Sequence, residues 1–86
     1  SLYFMNLDKT KEEITEAAEK IFADSGCGKV VRIKGFLKDD DEKWVELNAT
    51  HQEMRLEPIA EGQEVVIVIG EDLNEQRISG FLKAKE

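Results

Sequence analysis

Alternating apolar and polar residues flank a four-residue acidic segment at positions 39–42, and this pattern constrains the fold most. The apolar residues on one side are Val31, Ile33 and Leu37, and those on the other are Val45, Leu47 and Ala49. A period of two is typical of strands that are buried on one face. Because Asp tolerates the left-handed turn conformation, we interpret residues 30–49 as a β-hairpin with an acidic turn.

An amphipathic helix is predicted before this hairpin. Thr10 and Glu13 have the spacing of a capping box, in which each side chain accepts a hydrogen bond from the other residue's amide. Helical spacing then relates Ile14, Ala17, Ala18, Ile21 and Phe22. We expect the helix to end near Ser25, with Gly26 as its left-handed cap.

Three further strands are predicted. Residues 2–7 alternate and form a short first strand, and Met54 and Leu56 share one face of a fourth. Residues 65–69 read V-V-I-V-I without alternation, which predicts a central fifth strand covered on both faces. Gly62 is the expected positive-φ position before that strand.

A second helix follows, with Asp72 expected as its cap and Glu75 completing a second capping box. Its apolar stripe consists of Ile78, Phe81 and Leu82. The predicted order is β-α-β-β-β-β-α over a single domain, residues 1–86. This order predicts the α+β class, as a two-layer sandwich with a mostly antiparallel sheet and two helices on one face. A right-handed crossover through the first helix would make the first two strands parallel.

Charge and cysteine content narrow the classes of partner and location. The 86 residues include 12 Lys and Arg against 19 Asp and Glu, a net charge of −7. This balance argues against nucleic acid and anionic membranes as partners. No run of 18 apolar residues and no signal-peptide pattern occurs. The single cysteine fits a reducing compartment, so we expect a cytoplasmic protein.

No motif indicates a reaction, so we predict a chain that is not an enzyme and has no catalytic, cofactor-binding or metal-binding residue. It contains no G-x-x-x-x-G-K-[ST] sequence and therefore no P-loop. Cys27 and His51 supply only two of the four donors that zinc requires, unless a partner domain or second chain completes the site. Residues 39–42 lack the spacing and glycine of a calcium loop.

The exposed face of the predicted sheet is the candidate binding site. If the apolar set faces the helices, alternation places Arg32, Lys34, Phe36 and Trp44 together on the opposite face. Aromatic and Arg side chains are enriched at the centres of protein interfaces. The alternative is that Phe36 and Trp44 are cross-strand neighbours that cover each other. We predict that these four residues form an interaction surface.

Two motifs on these elements resemble a known family. V-R-I-K-G-F-L at residues 31–37, after an amphipathic helix, resembles the R-x-K-G-F strand in the C-terminal domain of CobW-type P-loop GTPases. I-G-E-D-L at residues 69–73 resembles the I-G-x-D-L segment before the last helix of that domain. Trp44 stands where the family often has an aromatic residue. The resemblance extends from about residue 4 to residue 82.

The resemblance implies a non-catalytic accessory domain of a CobW-like GTPase implicated in cobalamin synthesis or metal insertion and chaperoning. In that family the GTP-binding motifs and a Cys-x-Cys-Cys metal site lie in the N-terminal domain, so neither a catalytic nor a metal residue carries over. The implied partner is the GTPase domain of the parent protein or a client protein. A second copy of the chain is a further candidate. The alternative is a free-standing interaction or self-associating module without a GTPase.

Overall fold

The computed structural model describes residues 1–83, which form five strands and two α-helices. The elements are β1 (Leu2–Met5), α1 (Lys11–Ala23), β2 (Lys29–Lys38), β3 (Trp44–Ala49), β4 (Met54–Pro58), β5 (Val65–Glu71) and α2 (Glu75–Leu82). A short 3-10 turn, Ser25–Cys27, joins α1 to β2. The predicted element order and α+β class are confirmed.

The strands form one sheet in the order β1-β5-β2-β3-β4, and every neighbouring pair is antiparallel. β5 lies between β1 and β2 and pairs with both. β1 and β2 therefore point in the same direction, as predicted for a crossover, but share no hydrogen bonds. The last strand of the chain thus holds the first two together.

The core lies between the helices and one face of the sheet. Its helical part consists of Ile14, Ala17, Ala18, Ile21, Ile78 and Leu82. Its sheet part includes Phe4, Ile33, Leu37, Val45, Leu47, Val66 and Val68, which the strand registers place on one face. The residues of the opposite face are half-buried or exposed. Both helices therefore pack on one face, as expected.

A β-bulge in β2 overturns one predicted position. Val30 pairs with Gly70 whereas Arg32 pairs with Ile69, so Val31 is the extra residue of the bulge. Val31 is 59% exposed, and Val30 occupies the core in its place. The prediction that Val31 faces the core was wrong because a bulge shifts the alternation by one residue.

His51 forms a hydrogen bond with the backbone next to this bulge. Its Nε2 lies 2.8 Å from the Val30 carbonyl oxygen, which can only accept, so this nitrogen donates. The imidazole packs edge-on against Phe22, with 4.6 Å between the ring centroids. These contacts give His51 a structural role that ties the β3–β4 turn to β2 and α1.

The backbone conformation at two of the chain reversals differs from the prediction. The C-cap of α1 is Asp24 in an extended conformation, and its side chain accepts from the Gly26 amide. The left-handed glycine is Gly28, with φ 97°, so the positive φ expected for Gly26 and Gly62 was wrong. In the acidic turn, Glu42 has φ 60°. At the end of α1, the hydrogen bond between the Asp24 side chain and the Gly26 amide stabilises the turn, so no left-handed glycine is needed there.

The capping prediction holds for the first helix but not the second. The Thr10 hydroxyl accepts from the Glu13 amide at 3.1 Å, and the Glu13 carboxylate accepts from the Thr10 amide at 2.9 Å. In α2 the N-cap is Asn74, whose side chain accepts from the Arg77 amide. The two residues predicted as its capping box therefore do not form one.

An ion pair between the two helix ends makes stability depend on pH. Hydrogen bonds from the Arg77 guanidinium, at 2.8 Å, and from the Gly26 amide lower the pKa of Asp24 below 3.8. The folded state therefore favours the carboxylate. The stability it contributes is present above pH 3.8 and is lost as the pH falls through the lowered pKa. Asp24→Asn should lower the melting temperature at neutral pH, and this difference should shrink at about pH 2.5.

Thermal unfolding followed by circular dichroism at the two pH values measures this effect. Asp40→Asn is the matched control, because Asp40 is exposed and has no hydrogen bond or ion pair within the described residues. If both variants lower the melting temperature equally at neutral pH, the ion pair does not have this role.

Candidate interaction surface

The face of the sheet opposite the helices, called the open face below, brings the four predicted residues together. Arg32, Lys34 and Phe36 lie on it in β2, and Trp44 lies on it at the start of β3. Lys34 is opposite Ile67 of β5 and Asn48 of β3, while Phe36 is opposite Val65 and Glu46. Trp44 is opposite Lys38, which places it diagonally from Phe36. The register therefore makes one continuous surface of the predicted residues.

The open face also carries an apolar strip that sequence reasoning missed. The strip consists of Tyr3 and Met5 on β1 with Val65, Ile67 and Ile69 on β5. Tyr3 is 66% exposed and Met5 is 46% exposed, whereas the three β5 residues are half-buried. The prediction that β5 is covered on both faces was therefore wrong. The signal was present in the alternation of β1, but its partner strand lies some sixty residues away in the chain.

The chain's own β4–β5 loop partly covers Trp44. The Ile59 amide donates to the Trp44 carbonyl oxygen at 3.0 Å, and Gly62 of the same loop lies near the indole ring. A Cβ placed on Gly62 would lie 3.3 Å from Trp44 Cε3 and 3.7 Å from Phe36 Cβ. Both aromatic side chains are half-buried. The predicted aromatic pair thus has an intramolecular cover and also keeps exposed area.

Basic side chains border the aromatic and apolar residues. Lys38 Nζ lies 5.4 Å from the Trp44 ring centroid, and Lys34 Nζ lies 6.0 Å from the centroid of Phe36. Lys34 also forms an ion pair with Glu46 at 3.6 Å. Arg32 is exposed and has no ion-pair partner among residues 1–83. Apolar area bordered by charge suits protein binding.

The residues considered for metal or redox chemistry serve packing. Cys27 is buried, and burial, with a contribution from Asp24, raises the pKa of its thiol. A protonated buried thiol is a poor nucleophile. Within the described part of the chain, no group of three His, Cys, Asp or Glu residues could hold a metal ion. In the same part, no helix has the length and apolarity needed to cross a bilayer.

Comparison with known proteins identifies the family. A search of curated proteins and a search of solved structures each returned no match. One family model, described as "Cobalamin synthesis protein cobW C-terminal domain", matches residues 7–85. The match covers nearly the whole chain and confirms the resemblance carried by the V-R-I-K-G-F-L and I-G-E-D-L motifs. The chain therefore belongs to the family of cobW C-terminal domains, the accessory domains of CobW-like proteins.

Proposed function

We propose that this chain is a non-catalytic interaction domain of a CobW-like GTPase implicated in cobalamin synthesis or metal insertion. Its open face docks on the GTPase domain of the parent protein or on a client protein. The main support for this proposal is a sheet face on which no helix packs within residues 1–83 and on which apolar and aromatic residues remain accessible.

The exposed apolar area of the open face favours a docking role over a purely structural one. Single exposed apolar residues are normal on soluble proteins, but contiguous patches mark interaction sites. Tyr3 lies directly opposite Ile67, and Met5 lies directly opposite Val65, so these four side chains form one patch. Phe36, opposite Val65 on the other side, extends the patch to β2.

The absence of catalysis in this proposal rests on the residues themselves. The sequence has no P-loop, and Cys27, its single cysteine, is buried with a raised pKa. We assign nucleotide and metal chemistry to a separate GTPase domain, in keeping with the family. The proposed location is the cytoplasm, where a single cysteine remains reduced.

Titration calorimetry tests the proposal with the separately expressed GTPase domain of the parent protein. We expect saturable binding of that domain and no saturable heat when GTP is added to this chain alone. Micromolar GTP binding would overturn the non-catalytic assignment. If the GTPase domain does not bind and the chain sediments as a dimer, the free-standing, self-associating alternative is correct.

A further inference from the structure

We infer that the partner of the open face is a protein surface with an apolar centre and an acidic border, and not a second copy of this chain. This inference rests on the proposed docking role and names the chemistry of the partner. It follows from the position of the basic residues on a chain that is acidic as a whole.

Charge is distributed unevenly between the two sides of the domain. The register places Arg32, Lys34 and Lys38 of β2 on the open face against Glu46 of β3. On β4, Arg55 lies between two carboxylates, those of Glu57 and Glu53, which outweigh its charge. Lys29 and Glu71 oppose each other at one end and cancel. The β2 part of the open face, beside the apolar strip, is therefore net positive, although the chain carries −7. An acidic partner is attracted to this face and repelled by the rest of the surface.

The basic residues of β2 lie directly beside the apolar strip. Arg32 is opposite Ile69 and Lys34 is opposite Ile67, so both charges border the strip along one side. Arg55, by contrast, pairs with Glu57 at 2.6 Å and with Glu53 at 3.6 Å. Arg32 forms no ion pair within the described residues, although the chain contains 19 Asp and Glu residues. An unpaired cation beside apolar area favours a partner that brings an acidic group to it over one that brings a basic group.

The same charges disfavour a face-to-face dimer. A two-fold contact centred on the apolar strip brings the same patch of both copies together, so the net-positive β2 parts of the two open faces would lie close to each other. Like charges placed together at an interface are costly. A partner with acidic residues around an apolar centre avoids this cost and covers the strip.

The test uses two short synthetic peptides, one alternating Leu with Glu and the other alternating Leu with Lys. Each is titrated into the isotope-labelled chain and followed by NMR. We expect the Leu-Glu peptide to shift the amides of β1, β5 and β2 and to bind at least about fivefold more tightly than the Leu-Lys peptide. The net charge alone predicts the reverse preference. Equal affinities, or a footprint on α1 and α2, would overturn the inference.

Single substitutions test the basic part and the apolar part of the surface separately. Arg32→Glu should abolish the preference for the acidic peptide, whereas Lys20→Glu, the same charge change on exposed α1, should keep it. Tyr3→Ser should weaken the acidic peptide about tenfold. Leu56→Ser should not weaken it, because Leu56 is 43% exposed but lies on the helix side of β4. If Tyr3→Ser fails to fold, the effect of Arg32→Glu on the peptide preference alone decides whether the inference is correct.

Two outcomes distinguish this inference from the proposed function. If the GTPase domain binds the open face, but its affinity is unchanged by salt and by Arg32→Glu, the docking role stands and the acidic partner is wrong. If the GTPase domain does not bind, the peptide preference still decides the chemistry of the surface. Binding of phosphatidylserine vesicles that is lost in Arg32→Glu, without any peptide binding, would assign the face to a membrane and overturn the inference.

Discussion

Trp44→Ala should leave the domain folded and weaken its docking on the GTPase domain at least about tenfold. Trp44 lies on the open face, and the β4–β5 loop covers only part of its ring. Truncating an aromatic anchor that becomes buried in an interface costs about 2–4 kcal/mol of binding. Loss of the ring's intramolecular packing should cost about 1–2 kcal/mol of folding free energy, because the ring is only half-buried. Circular dichroism checks the fold, and calorimetric titration measures the docking.

Leu56→Ala provides the control for this experiment. Leu56 is also partly exposed, but it pairs with Leu47 and lies on the helix side of the sheet. Its truncation should leave docking unchanged. If Trp44→Ala docks as tightly as the unmodified chain, the docking surface does not include Trp44, and the predicted interaction surface is wrong at its centre.

Gly70→Ala should destabilise the domain by about 2–4 kcal/mol. A Cβ on Gly70 would lie 2.0 Å from the carbonyl oxygen of Lys29 and 2.9 Å from its carbonyl carbon. These are backbone atoms of β2 at the bulge, so no side chain can rotate away to make room. The two central strands would have to separate where they meet. Chemical denaturation, with the midpoint and slope measured together, gives the change in unfolding free energy.

Gly80→Ala makes the same chemical change where there is space. Gly80 lies in α2, and a Cβ there would meet no atom of the described residues within 4 Å. Alanine is the better helix former, so this variant should gain about 0.5–1 kcal/mol. A Gly70→Ala variant as stable as the unmodified chain would show that β2 and β5 can move apart at low cost.

One part of the candidate site could be predicted because it is encoded locally. Arg32, Lys34, Phe36 and Trp44 belong to one hairpin, whose alternation and turn place them on a common face. Tyr3 and Ile67 could not be joined in this way, because their contact depends on pairing between the first and last strands. Alternation indicates which residues of a strand share a face, but it does not indicate which other strand pairs with that strand.

Local patterns determined the elements themselves. The Thr10–Glu13 capping box, the helical spacing that follows it and the hairpin alternation each depend on residues a few positions apart, and the sequence shows them directly. The family motifs are equally local, since each occupies a single short segment.

Tertiary structure alone decided the insertion of β5 between β1 and β2, the bulge at Val31 and the cover of Trp44 by its own loop. Each of these depends on contacts between distant segments. Their free energy comes from burying apolar area against a particular neighbour, and that neighbour is defined only once the sheet has formed.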